Sequence, residues 1–107
     1  AIYGATKAAV ISLTKSAALD LAARNIRVNA VNPGYIYSEI WSHGAPDDLS
    51  RVIVPMGRIG EADEAAAPYH FLASDDASYV TGTSITVDGG LTTGPSVASM
   101  KMMRNGA

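Results

Sequence analysis

Ile26-Arg27-Val28-Asn29-Ala30-Val31-Asn32-Pro33-Gly34 is the stretch that decides the fold. Ile26 to Val31 is short and β-compatible, and Pro33-Gly34 ends it abruptly, because proline lacks a ladder donor and glycine favours a turn. Upstream, Ile2 to about Ala23 is rich in Ala, Leu and Lys, has no Gly after Gly4 and no Pro, and reads as helix. Val10, Leu13, Ala17 and Leu21 form one apolar stripe on it. Ile11 and Leu19 fall outside that stripe, so a second buried contact is expected, with another subunit. Downstream, Tyr35 to Pro55 reads as a long loop in which a short helix starts near Asp47 or Asp48, either of which can cap it.

Glu61 to Ser74 reads as a second helix with Ala65 and Leu72 inward, although Pro68 stands in its interior, where proline removes a backbone bond. Asp75 to Gly82 is turn-like. Thr83 to Val87 is a second strand with Ile85 and Val87 on one face, closed by Asp88-Gly89-Gly90. The order helix, strand, long loop, helix, strand is a parallel α/β unit. Two strands make no stable sheet alone, so further strands are expected upstream of Ala1. The chain starts at Ala1 with a helical pattern at once, which also reads as a fragment. Residues 91–107 lack clear periodicity and read as a C-terminal tail after a domain portion spanning residues 1–90.

Composition narrows the function classes. The chain has 107 residues, 48% of them apolar and 17% charged, which fits one core-forming domain or part of one. A formal charge of −2 offers no basic footprint for nucleic acid. There is no cysteine, hence no disulfide framework or thiolate metal site, and an intracellular, cytoplasmic setting is expected. No apolar run approaches the roughly 20 residues of a membrane span, and no signal peptide is visible.

Tyr3 and Lys7, one helical turn apart, project from the same face. A phenol, with an ordinary pKa near 10, is a poor base at neutral pH, and a neighbouring ammonium favours its phenolate. Such a tyrosine can protonate a carbonyl oxygen as hydride reaches the carbon, or run the step in reverse. The ammonium also carries three donors able to reach ribose hydroxyls. As a bare spacing the pair is more often two solvated helix neighbours, so its context decides.

Four blocks supply that context. Tyr3-Gly4-Ala5-Thr6-Lys7-Ala8-Ala9 resembles the Tyr-x-x-x-Lys segment of classical short-chain dehydrogenases/reductases, and Ile26 to Gly34 is similar to that family's strand into its Pro-Gly turn. Gly57-Arg58-Ile59-Gly60 with the helix ending Phe71-Leu72-Ala73-Ser74 resembles the segment after the family's substrate loop. Ala77 to Thr83 running into Val87-Asp88-Gly89-Gly90 resembles its last turn and strand.

The resemblance implies the C-terminal part of a Rossmann-type doubly wound parallel sheet, with an NAD or NADP cofactor across the carboxyl ends of the strands. It implies that Tyr3 is the acid/base and that Lys7 eases formation of its phenolate and holds the nicotinamide ribose. It places Pro33 and Gly34 beside the nicotinamide, Ile36 backbone at the carboxamide, and Ser38, where the family usually has Thr, as a hydroxyl contact. Trp41 and His43 fall in the substrate loop, where they either set specificity or simply pack and meet solvent. His43 with Asp47 and Asp48 shows no metal-ligand spacing, and no metal is expected. His70 reads as surface, and Met100, Met102 and Met103 as a sticky terminal segment.

The family's Gly-rich phosphate loop, its serine and the residue choosing between NAD and NADP would all precede Ala1. The expected function is hydride transfer between nicotinamide and a small carbonyl or alcohol substrate by a homo-oligomer, dimer or tetramer, with the lone chain inactive. The rival is a non-catalytic or truncated binding or regulatory protein that keeps the fold. No nucleic-acid or membrane partner is expected.

Overall fold

A computed structural model of the chain describes residues 1–38 and 45–106. Their elements are helix α1 (Ile2–Leu21) with a 3-10 turn (Ala22–Arg24), strand β1 (Ala30–Pro33), α2 (Ala45–Ile53), α3 (Ala62–Ala73), a second 3-10 turn (Asp75–Ala77), strand β2 (Ser84–Val87) and α4 (Val97–Asn105). The two strands pair. Ala30 N–H donates to Thr83 and Gly34 N–H to Val87, so both strands advance together and the pairing is parallel. The fold class is α/β, as its helix and strand order predicts.

The residues cluster into two units. The first holds residues 1–32 and 67–85, the second residues 33–66 and 86–107.

In the first unit α1 ends by a mechanism legible in its sequence. Asn25 adopts a left-handed conformation at φ 58°, its N–H donates to the Ala22 carbonyl, and Ile26 N–H donates to that of Leu21. These two bonds make a Schellman cap, with asparagine where glycine is commoner. The inward stripe of α1 differs from the one expected. Lys7, Ile11, Thr14, Ala17, Ala18 and Leu21 are the less exposed positions of α1, so Ala17 and Leu21 lie inward as expected and Ile11 joins them, whereas Val10 and Leu13 are exposed. A polar residue lies within the stripe because the Thr14 hydroxyl donates to the Val10 carbonyl at 2.8 Å, which satisfies it without a tertiary partner. Ala18 is 4% exposed, and a Cβ built on Gly82 would lie 3.5 Å from its methyl. Small residues here bring helix and turn together.

The strand begins later than Ile26. Over residues 27–29 one backbone bond, from Gly82 N–H to the Val28 carbonyl at 2.8 Å, is joined by several side-chain bonds. Arg27 donates to the Val80 and Ser74 carbonyls, Val28 N–H to the Thr81 hydroxyl, and the Asn29 amide both donates to Val80 and accepts from Thr83 N–H. Polar side chains thus share with the backbone the bonding that a hydropathy pattern assigns to backbone alone. The Asn32 amide continues the series by donating to the Ser84 hydroxyl.

In the second unit Val54 (2% exposed), Ser50 and Ser96 are buried. α2 begins at Ala45, before the expected cap. Residues 95–106, which show no periodicity, contain α4. Its start is local chemistry: Ser96 is the N-cap, accepting from Ser99 N–H at 2.9 Å. The same hydroxyl donates to the Val52 carbonyl in α2. The three methionines of this tail are exposed, as its composition suggests.

α3 runs through Pro68. Ala65, Pro68 and Leu72 are its less exposed positions and lie on one side of the helix, so the proline belongs to the packed face together with the two residues expected there. His70 is exposed, as expected. In β2 Ile85 and Val87 are both half-buried while Thr86 between them is exposed. Among the described residues, no helix is long and apolar enough to cross a membrane.

Candidate functional site

Tyr3 and Lys7 occupy the first two turns of α1, whose N-terminus carries no side-chain cap. The Lys7 ammonium stands over the Tyr3 ring, 5.7 Å from its centroid, within the range of a cation–π contact. Tyr3 is 74% exposed and Lys7 is half-buried. The helix supplies the spacing, and the aromatic face holds the lysine side chain against the tyrosine.

In the second unit, Pro33 closes β1 and Gly34 comes next with its N–H on the Val87 carbonyl at 2.9 Å. A Cβ at Gly34 would lie 2.6 Å from Asp88 Cβ and 2.9 Å from Asp88 Cα. The chain can pass here only without a side chain. Asp88 is itself held. Its carboxylate accepts from the Thr92 hydroxyl at 2.7 Å, from Thr92 N–H at 3.0 Å and from Gly90 N–H at 2.9 Å. The Thr92 hydroxyl, ahead of the backbone donors, keeps this carboxyl below its usual range. Gly89 and Gly90 take positive φ values of 62° and 94° in the turn it stabilises.

Ile36 forms an isolated parallel bridge with Gly60. Gly60 N–H donates to the Tyr35 carbonyl at 2.8 Å, and Tyr37 N–H donates to the Gly60 carbonyl at 2.7 Å. Since this bridge uses groups of residues 35 and 37, the N–H and carbonyl of Ile36 itself point to the opposite edge. One donor and one acceptor side by side are the complement of a primary carboxamide. Ser38 is half-buried. Trp41 and His43 lie outside the described residues.

A cleft of about 110 Å³ beside the bridge is lined by Ile36, Met56, Arg58, Glu64, Val87 and Gly89, among others. That is well under the roughly 300 Å³ at which small-molecule pockets begin, so the cleft alone is no cofactor site. At its rim Arg58 grips Glu64 through two bonds of 2.7 and 2.8 Å, with both side chains about half exposed. Hydrogen bonding from Arg58, then from the Glu61 backbone, lowers the Glu64 pKa from 4.5 to about 2. The sequence gives little warning of this fork, although Glu61-x-x-Glu64 carries the spacing of a helix-capping pair.

A depressed folded-state pKa stabilises the fold above the unfolded value of 4.5, and that contribution is lost as pH falls towards about 2. The stability difference between wild type and Glu64→Gln is therefore expected to be present at pH 7, to shrink between pH 5 and pH 2, and to shrink also in high salt. Denaturant melts at each pH check this, and a difference independent of pH would contradict it. Among the described residues, no cluster of acidic, histidine or cysteine side chains is arranged to hold a metal.

Residues 1–92 match the family described as Enoyl-(Acyl carrier protein) reductase. The chain is 48% identical over 95 residues to the short-chain dehydrogenase anuF of Penicillium roqueforti, an alignment covering 84% of this chain and 34% of that protein. It belongs to the short-chain dehydrogenase/reductase family.

Other members of the family give the same picture. Identity to 3-oxoacyl-(acyl-carrier-protein) reductase FabG of Thermotoga maritima is 50% over 94 residues, covering 83% of this chain and 37% of the relative. A crystal structure of a short-chain type dehydrogenase/reductase from Mycobacterium marinum superposes with a TM-score of 0.76 at 44% identity, over 84% of this chain and 36% of that one. The fold is thus the short-chain dehydrogenase/reductase version of the Rossmann-type α/β sheet. The chain spans a little over one third of the length of these curated relatives, 37% for the Thermotoga reductase. The family match ends at residue 92, so α4 lies beyond it.

Proposed function

We propose that the protein carrying this chain is an NAD(P)-dependent oxidoreductase that interconverts a small-molecule carbonyl and its alcohol. The observation that carries this reading is the Lys7 ammonium seated against the Tyr3 ring at the exposed start of α1, in a member of this family. The names of its relatives, an oxoacyl reductase among them, support a carbonyl or secondary alcohol as the reacting group.

Bound nicotinamide supplies hydride to the substrate carbon in reduction, or takes it in oxidation. Tyr3 Oη donates its proton to the substrate oxygen as that oxygen gains negative charge, and recovers a proton from the alcohol in the other direction. Lys7 stabilises the phenolate that remains and offers its donors to ribose hydroxyls. The outward N–H and carbonyl of Ile36 would hold the carboxamide of the nicotinamide. Pro33 and Gly34 pass beside the ring, and Ser38 adds a hydroxyl contact. By resemblance Trp41 and His43 fall in the substrate loop, where they are candidates for setting specificity. In this reading the protein is a cytoplasmic homo-oligomer whose exposed α1 residues Val10, Leu13 and Leu19 face another subunit.

Lys7→Met in the full-length protein is expected to weaken cofactor binding and to lower turnover together, because both roles need the ammonium. Fluorescence titration of the cofactor alongside steady-state kinetics tests this. Unchanged values of both would remove the roles given to Lys7.

A further inference from the structure

We infer that Glu64, gripped by Arg58, is a positioning residue that sets the Ile36 backbone for nicotinamide by clamping the chain on both sides of Gly60. The inference rests on the proposed pairing of Ile36 with the carboxamide, and it concerns residues to which that proposal assigns nothing.

Gly60 is the partner of Ile36 in the parallel bridge, and it makes both of that bridge's hydrogen bonds. Its own position is set by its neighbours on either side in the chain. Two residues before it, the Arg58 guanidinium holds the Glu64 carboxylate through two parallel bonds. Immediately after it, Glu61 N–H donates to Glu64 Oε1 at 2.9 Å. One carboxylate therefore ties residue 58 and residue 61 to the first turn of α3, and Gly60 lies between the two ties. A planar guanidinium meeting a carboxylate by two bonds fixes orientation as well as distance, which a single contact does not.

The fit at Gly60 shows why such fixing has an effect. A Cβ there would lie 2.7 Å from Ile36 Cδ1, so the two backbones are as close as the Ile36 side chain allows. If residues 58–61 shift, the bridge lengthens, and the N–H and carbonyl of Ile36 turn with residues 35 and 37. The pair is about half exposed, and exposed ion pairs contribute little to global stability. Its larger consequence is expected in the site, with only a small one in the melting curve.

The test uses the full-length protein and two ligands, NAD(P) and the matching ADP-ribose or 2′-phospho-ADP-ribose, which lack only the nicotinamide. Glu64→Ala is expected to weaken the dinucleotide about tenfold, the order of effect of one lost hydrogen bond. Binding of the ADP-ribose ligand should stay unchanged. Arg58→Gln leaves the Glu61 tie in place and should give a smaller effect of the same kind, and it also serves if Glu64→Ala folds poorly. Equal weakening of both ligands, or no change in either, in the folded variants would overturn the inference. A wild-type protein that binds the dinucleotide no better than its ADP-ribose counterpart would overturn both the inference and the role of Ile36 beneath it, and so separates the two failures.

Discussion

Tyr3→Phe in the full-length protein is expected to lower turnover by about 10²- to 10⁴-fold, the usual contribution of a positioned general acid or base, while leaving cofactor affinity nearly unchanged. Phenylalanine keeps the ring on which the Lys7 ammonium rests, 5.7 Å from the centroid, so the lysine and its ribose contacts should survive. The substitution removes one oxygen, the atom that passes the proton. Phenylalanine adds no atom to the site, so the melting temperature should hardly move. Steady-state kinetics and cofactor titration on the same preparation separate the chemical step from binding. Near-normal turnover would sink the assignment of Tyr3, and lost cofactor binding would show that the ring had a structural role instead. The result also decides against a fold-retaining protein with no catalysis, for which the variant and the wild type would be equally inactive.

Gly34→Ala is expected to cost about 1–3 kcal/mol of folding stability, the range for forcing an extra carbon into a packed site. The new methyl would stand 2.6 Å from Asp88 Cβ and 2.9 Å from Asp88 Cα. Neither atom is the far end of a flexible side chain. The Asp88 carboxylate is held by Thr92 and Gly90, and Gly34 itself is tied to Val87. Relief therefore requires β1 and β2 to separate where Gly34 and Val87 meet. Denaturant unfolding should show a lower midpoint with an unchanged slope. A loss below about 0.5 kcal/mol, typical of unremarkable surface changes, would mean that the close approach relaxes without consequence. Glycine at this place is thus explained by steric contact before any role beside the cofactor is invoked.

The features legible in the sequence are those whose chemistry is local. The pairing of Tyr3 with Lys7 comes from helical rise alone, and the structure adds only that the ammonium rests on the ring. The stop at Pro33-Gly34, the Ile85 and Val87 face of β2 and the Asp88-Gly89-Gly90 turn are likewise properties of short segments. The inward stripe of α1 is hidden because Thr14 is polar by composition, yet its hydroxyl is satisfied within its own helix. Hydropathy starts β1 too early, at Ile26, because it does not reveal that Arg27 and Asn29 bond through their side chains to residues more than forty positions away. α4 escapes a search for periodicity because one serine cap, not an apolar period, starts it.

The sequence by itself determined the α/β order, the Tyr3–Lys7 pair and the family, since each rests on spacing within a few residues or on the order of such blocks. Tertiary structure alone decided which groups the site presents around Ile36. The outward direction of its backbone exists only because Gly60, remote in the chain, occupies the other edge. Gly60 is bracketed there by a guanidinium and a carboxylate whose meeting depends on the turn into α3. Contacts of that kind depend on three-dimensional proximity, and no periodicity along the chain encodes them.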